Sequence, residues 1–250
     1  MMNNPFCLTD KQILVTGASS GIGKAIAISC SQFGAKVIIT GRNKERIKET
    51  FSLLEGEGHS FVLADLTIED EREKLVEQLP DLDGIVQNAG VGSRVLCKNI
   101  TQMDLDYILK PNLEAPILLQ SELLRQKKIK KGASILFMAS RAAIVPSVGN
   151  AVYSASKGAI IGYAKCLGLE LAPRKIRVNC ICPAMIWTDI VAKGGITEDD
   201  LRESESRYPL KRYGKPEDIA NLAVYLLSDA SEWMTGSCID ITGGGEGTLI

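Results

Sequence analysis

Residues 12–23 read QILVTGASSGIG. The first five are a short apolar run rich in branched side chains and bounded by glycine, the pattern of a buried strand. The next seven place three glycines in the order G-x-x-x-G-x-G, and an apolar-periodic helix then runs to about Phe33. A bare strand-to-helix turn needs fewer glycines than this. Three of them let the backbone approach a bound group closely, at a helix end whose free N–H groups attract anions. Gly17, Ser19, Ser20, Gly21, Ile22 and Gly23 are therefore candidate contacts for a pyrophosphate, with a ligand-free turn as the alternative.

Residues 36–40 (KVIIT) read as a second strand, followed by Gly41, Arg42 and Asn43. In dinucleotide-binding folds this strand end faces the adenine ribose. A carboxylate there bonds the 2′-hydroxyl, whereas an arginine accommodates a 2′-phosphate. Gly41 and Arg42 stand at that place, which favours NADP(H) over NAD(H); the alternative is a solvated loop charge. Residues 44–54 have helical spacing, and residues 60–63 form a third strand that leads to Asp65 and Leu66. Asp65 either accepts from an adenine amino group or caps the next helix. A charged helix is expected over 69–78 and a fourth strand over 84–87, closing on Asn88, Ala89 and Gly90. Strands alternating with helices at intervals of about 25 residues mean a doubly wound α/β fold, its parallel sheet covered on both faces.

Residues 105–128 read as one long helix, but Pro111 and Pro116 interrupt it. A proline deletes a backbone hydrogen bond and crowds the carbonyl four residues earlier, so a kink or bulge is expected near Asn112. The basic run 125–131 (RQKKIKK) suits a helix C-terminus as a solvated cap, or else a docking patch for an acidic partner. A fifth strand over 133–138 delivers Ser140. A helix over 152–172 follows, with an inner face rich in Ala, Gly and Ile suited to close packing, and Pro173 stops it. Strands over 176–181 and 238–241 and a helix over 216–227 complete the pattern. No linker, repeat or low-complexity tract divides residues 1–250, so one domain is expected. The mixed stretch 184–213, with Gly194 and Gly195, reads as a substrate-binding or lid segment.

Ser140, Tyr153 and Lys157 carry the chemistry. Tyr153 lies thirteen positions after Ser140, and Lys157 four after Tyr153, a step that stacks the two on one helix face. An ammonium beside a phenol lowers its pKa and makes it a usable proton donor or acceptor. Bringing a tyrosine from ~10 toward ~7 takes about 4 kcal/mol, within reach of neighbouring positive charges at low dielectric. A Tyr-x-x-x-Lys pair alone arises by chance in roughly every second chain of this length, so its surroundings must carry the case.

Composition narrows the classes. A formal net charge of −1 removes a global electrostatic argument for nucleic acid or anionic membrane. No apolar run approaches the ~18–20 residues of a membrane span, and the N-terminus lacks the basic flank and apolar core of a signal peptide. The seven cysteines are scattered, and one histidine supplies a zinc site poorly, so no metal is expected. Cys180 and Cys182 would share a strand face, which suggests packing. A reducing, cytoplasmic setting is the simplest reading.

With these pieces in place, the chain resembles a short-chain dehydrogenase/reductase over essentially its whole length. The matching stretches are 16–23 (TGASSGIG), 88–90 (NAG), Asn112, Ser140, 153–157 (YSASK) and 177–179 (RVN). The resemblance implies a Rossmann-type fold with a seven-stranded parallel sheet, a nicotinamide cofactor and carbonyl/alcohol chemistry. It implies Tyr153 as general acid in reduction and Ser140 as hydrogen-bond partner of the substrate oxygen. Lys157 would bind the nicotinamide ribose and tune Tyr153, and Asn112 would hold a relay water. Leu66, Pro183, Ile186 and Thr188 join the implied cofactor contacts. Departures are Pro183-Ala184 for the usual Pro-Gly, Thr242-Gly243-Gly244 for Asp-Gly-Gly, Gln87 for an asparagine, and Pro111 directly before Asn112. Three functions follow as alternatives. The first is an NADP(H)-dependent ketone reductase similar to 3-oxoacyl-acyl-carrier-protein reductases, with an acyl-carrier protein as implied partner at the basic run, Arg174 and Lys175. The second is an NAD(P)-dependent dehydrogenase of a sugar, polyol or steroid-like alcohol, and the third a non-catalytic cofactor-binding protein. A homotetramer through residues 105–128, 152–172 and the C-terminal strand is the implied assembly.

Overall fold

A computed structural model describes residues 4–188 and 198–245. Among these, seven strands form one sheet: β1 (Gln12–Thr16), β2 (Lys36–Gly41), β3 (Ser60–Leu63), β4 (Leu82–Gln87), β5 (Ile129–Met138), β6 (Arg177–Pro183) and β7 (Cys238–Ile241). Their order is β3-β2-β1-β4-β5-β6-β7, and every neighbouring pair is parallel. The chain steps outward from β1 to β3, then crosses back to lay β4 on the other side of β1. That reversal opens a crevice at the carboxyl ends of β1 and β4, the place where such sheets receive ligands.

Helices cover both faces: α1 (Gly21–Gln32), α2 (Lys44–Phe51), α3 (Glu69–Gln78), α4 (Gln102–Leu109), α5 (Ala115–Arg125), α6 (Ala151–Leu171), α7 (Glu198–Ser206) and α8 (Pro216–Leu227). A strand covered on both sides must be apolar at every position, which is why the strands read as continuous apolar runs. Their period of two divides them between two cores. Leu14 enters one core with Leu75 of α3, Leu119 of α5 and Ile160 of α6. Ile13 and Val15 enter the other with Ile26 of α1, Ile47 of α2 and Ala223 of α8. Among the described residues no helix is long and apolar enough to cross a membrane.

Several boundaries depart from the sequence reading. The helix expected over 105–128 starts at Gln102, where a capping box between Thr101 and Asp104 satisfies its first N–H groups. It passes through a π-helical turn, Lys110–Glu114, and ends at Arg125. β5 begins at Ile129, four residues early, so much of the basic run is strand rather than cap. Lys130 pairs with Asp83 at 2.8 Å, and Lys128 donates to the Leu79 carbonyl at 2.6 Å. The inner face of α6 carries Ile160, Ala164, Leu167, Gly168 and Leu171, as expected, while Ala155, Gly158, Ala159 and Gly162 form a second, exposed face of small residues. Of the 184–213 segment, residues 189–197, including Gly194 and Gly195, lie outside the described residues.

The residues 177–179 hold the far side of the sheet. Arg177 donates to Ser231 Oγ at 2.8 Å and to the Ser228 carbonyl at 3.1 Å. Asn179, 1% exposed, donates to the Met234 carbonyl at 2.8 Å and accepts from Ser237 N–H at 3.1 Å, fastening the connection from α8 to β7. Removing that amide strands one donor and one acceptor. Asn179→Leu should therefore lower stability by about 2 kcal/mol or more in urea denaturation, with amide exchange accelerated first in β7. An unchanged denaturation midpoint would show that this link contributes nothing.

Candidate active site

The crevice between β1 and β4 is closed by one threonine and one asparagine. Thr16 Oγ1, fully buried, donates to the Val86 carbonyl at 3.3 Å and accepts from the N–H groups of Asn88 at 2.9 Å and Ala89 at 3.0 Å. Asn88 answers with its side-chain amide, which donates to the carbonyls of Thr16 (3.1 Å) and Gly17 (3.2 Å). Gly17 sits at φ +64°, and a Cβ there would come within 2.7 Å of Ala89 Cα. A Cβ on Gly23 would overlap the Gly17 carbonyl and the Asn88 amide. Glycine is thus required at both positions by the closeness of the two strand ends.

The turn fits the phosphates of a dinucleotide. Ser20 stands at the N-cap of α1 in extended conformation, yet its side chain makes no capping bond, and the first turn holds no carboxylate. The first N–H groups and the positive end of the helix are left for an anionic ligand. Thr188 lies across from this turn, its methyl 3.2 Å from where a Cβ of Gly21 would be. Ser19 packs beside Gly41 at the end of β2. Leu66 and Ile186 bury their side chains in the two cores, and Pro183 ends β6 buried, so contacts from these three to a cofactor would come from backbone.

Arg42 is not free of carboxylates. Its guanidinium, 66% exposed, lies 3.4 Å from Asp65 Oδ2. Asp65 Oδ1 also accepts from Thr67 N–H at 3.0 Å and Thr67 Oγ1 at 2.7 Å. Partial burial pushes this carboxyl up, but the Thr67 bonds and the Arg42 charge outweigh it and hold the group below its usual value. Asp65 does not cap α3, whose N-cap is Ile68. It closes a local turn and turns its second oxygen toward Arg42. No carboxylate follows β2 in the sequence; the fold brings one there from the end of β3.

Ser140, at the carboxyl end of β5, is the N-cap of a single 3-10 turn, Arg141–Ala143, and its Oγ accepts from Ala142 N–H at 3.1 Å. Tyr153 and Lys157 lie on one face of α6, with Lys157 Nζ 5.8 Å from the tyrosine ring centroid. Burial pushes the Tyr153 phenol up, and a hydrogen bond with Ser140 pulls it part of the way back. This is the reverse of the expected direction. The Lys157 ammonium lies over the tyrosine ring and donates to the Met138 carbonyl at 2.7 Å. Burial lowers Lys157 to about 8, offset in part by Cys180 and Cys182 beneath it.

Asn112 lies inside the π-helical turn, with Pro111 before it. A proline has no N–H to continue the regular ladder, and the widened turn is closed by Ala115 N–H donating five residues back to the Lys110 carbonyl. The Asn112 side chain, 2% exposed, accepts from Val91 N–H at 2.8 Å and donates to the Val91 carbonyl at 2.9 Å and Ser156 Oγ at 3.3 Å. Ser156 Oγ in turn donates to the Tyr153 carbonyl at 2.7 Å. A Cβ on Gly90 would lie 2.9 Å from Asn112 Oδ1 and 3.6 Å from Lys157 Nζ. Asn88-Ala89-Gly90, Asn112, Ser140, Tyr153 and Lys157 thus converge above β4 and β5. Thr16, Ser156 and the Met138 carbonyl were not among the site residues read from sequence. The serine within YSASK and the threonine opening TGASSGIG were the available signals for the first two, whereas a backbone carbonyl leaves none.

The geometry is matched by kinship. A family model described as enoyl-(acyl carrier protein) reductase matches residues 17–246. The 3-oxoacyl-(acyl-carrier-protein) reductase FabG of Rickettsia felis is 35% identical over 237 residues, covering 95% of this chain and 97% of that protein. The L-xylulose reductase of Caenorhabditis elegans is 35% identical over 246 residues, covering 94% and 96%. Among solved structures, a double mutant of a Serratia marcescens short-chain dehydrogenase/reductase aligns with a TM-score of 0.86 at 30% identity, covering 96% of this chain and 99% of that one. A glycine turn at the reversal point of a seven-stranded parallel sheet, a Ser-Tyr-Lys set above it and relatives matched end to end agree: this chain belongs to the short-chain dehydrogenase/reductase family of oxidoreductases, which work with a nicotinamide cofactor.

Proposed function

We propose that residues 1–250 act as one unit, an NADP(H)-dependent reductase of ketones whose favoured substrate class is a 3-oxoacyl thioester. The convergence of Ser140, Tyr153 and Lys157 beside the glycine turn carries this reading. The cofactor, when bound, supplies the hydride. This chain's part is the substrate oxygen. Ser140 Oγ, already accepting from Ala142 N–H, keeps its own proton to donate to that oxygen. The Tyr153 phenol, held protonated by burial, is suited to give its proton to the same oxygen as the carbonyl is reduced. Lys157 holds positive charge in a buried place next to Tyr153 and Gly90, where the nicotinamide ribose is expected. Both Asn112 amide donors are taken by Val91 and Ser156, and a relay water would be held by backbone at the π-helical turn.

Arg42 supports the NADP(H) preference, because one contact at 3.4 Å leaves most of its donors free for a 2′-phosphate. The carrier-protein reading rests on the Rickettsia relative and not on the basic run. That run ends in the first residues of β5, at the opposite end of the strand from Ser140, and Arg174 donates to the Ile129 carbonyl. The worm L-xylulose reductase supports a sugar or polyol as the second substrate class. The exposed small residues of α6, beside Met103 and Tyr107 exposed on α4, support the tetramer. A cytoplasmic setting remains part of the proposal.

NADPH oxidation against a panel of 3-oxoacyl thioesters, simple ketones and sugars tests the substrate class; turnover of sugars alone would overturn the thioester reading. Tyr153→Phe should lose at least about a thousandfold in kcat while NADPH binding, followed by fluorescence, persists; full activity would remove Tyr153 from the mechanism. Exchanging Gly41 for Asp and Arg42 for Ser should move the NADP/NAD preference toward NAD by about tenfold or more. An unchanged ratio would refute the Arg42 argument. Lys157 is charged below about pH 8 and neutral above it. Cofactor binding should therefore weaken as pH rises through that value, and Lys157→Met should flatten the dependence. A wild-type binding curve level from pH 7 to about 9 would contradict this.

A further inference from the structure

The residue after Ser140 has no part in the chemistry just described, yet its side chain crosses the sheet. Arg141 NH1 donates to Asp240 Oδ2 at 2.8 Å. Asp240 belongs to β7, where it pairs with Cys182 of β6, so the guanidinium reaches from the end of β5 over β6 to the third strand. The arginine side chain is only 19% exposed, and its Nε is buried without a partner. A mobile surface pair would keep that nitrogen in water. Among the described residues no other side-chain hydrogen bond ties residues 141–145 to the sheet. Within the turn, the Arg141 carbonyl accepts from Ile144 N–H at 3.0 Å and Val145 N–H at 2.9 Å, so the turn closes on the tethered residue itself. Ser140 Oγ takes its direction from Ala142 N–H inside that turn.

We propose that Arg141, through its ion pair with Asp240, is a positioning residue that holds the Ser140 hydroxyl in line with Tyr153 and the substrate oxygen. This rests on Ser140 and Tyr153 being the proton-transfer pair. Among the described residues the charged and titratable groups around them are Lys157 on α6, Cys180 and Cys182 on β6, Cys238 and Asp240 on β7 and Arg141 itself. Two modes of action are therefore separable. Were the pair acting by charge, loss of the cation and loss of the anion would move the tyrosine in opposite directions. Acting by position, both losses loosen the same Ser140 bond and move it the same way, upward.

The test uses the full chain with NADPH and its best ketone, and the reverse alcohol oxidation. R141M and D240N are each expected to cut kcat about tenfold at unchanged KM, and the double variant to be no slower than either, because one interaction is lost once. The alkaline limb of the oxidation profile should shift upward in both single variants, and R141K should recover most of the rate. Far-UV circular dichroism and thermal midpoints confirm that each variant is folded. Opposite shifts in the two profiles, multiplicative losses in the double variant, or lowered midpoints with unaltered profiles would each overturn the inference. So would wild-type kcat in R141M alongside an inactive S140A, with the proton-transfer pair left standing. Full activity in S140A would instead remove that pair, and the inference with it.

Discussion

The hydroxyl of Thr16 satisfies three backbone groups at the one place where the sheet reverses its order. A parallel sheet that winds in both directions leaves two strand ends side by side with no connection crossing between them. Their backbone polar groups need partners, because unpaired ones in a buried crevice are costly. Thr16 and the Asn88 amide supply those partners from opposite sides. Once they do, the strand ends are so close that Gly17 and Gly23 cannot carry side chains. The cofactor turn, its glycines and the Asn88-Ala89-Gly90 segment are one structure, set by the geometry of that reversal.

A second constraint is the burial of charge. Lys157 is 6% exposed, and the strand end beneath it offers the Met138 carbonyl and two thiols rather than a carboxylate. Burial therefore moves Lys157 down and Tyr153 up, bringing the lysine toward neutral pH and keeping the phenol protonated. A protonated phenol suits reduction, where it must give a proton away. Ser140 is the group that pulls the phenol back, so its alignment bears on the same proton.

Much of the fold is legible in the residues. The strands at 12–16, 60–63 and 238–241 and the helices at 69–78 and 216–227 have the bounds their patterns predict. Each is either a short apolar run between breakers or a periodic helix with a clear stop. The basic run shows where local patterns fail. Lys128, Lys130 and Lys131 look like a helix cap because charge is read locally, whereas β5 takes in Lys130 and Lys131 and pairs Lys130 with Asp83 across the sheet. On α6 the small residues divide between two faces: Ala164 and Gly168 are buried beside Ile160, whereas Ala155, Gly158, Ala159 and Gly162 are exposed, since a small side chain carries no sign of which side of a helix is covered.

By itself the sequence determined the alternation of strand and helix, the glycine turn, the kinked helix at Pro111 and the Ser-Tyr-Lys set. All of these are local patterns, dictated by backbone freedom, hydrophobic period and residue chemistry. Only the tertiary structure decided that Asp65 meets Arg42, that Asn112 locks onto Val91, that Lys157 faces Met138 and that Arg141 reaches Asp240. These contacts join residues on different strands and helices. Their partners are chosen by strand order and register, which no stretch of the chain contains alone.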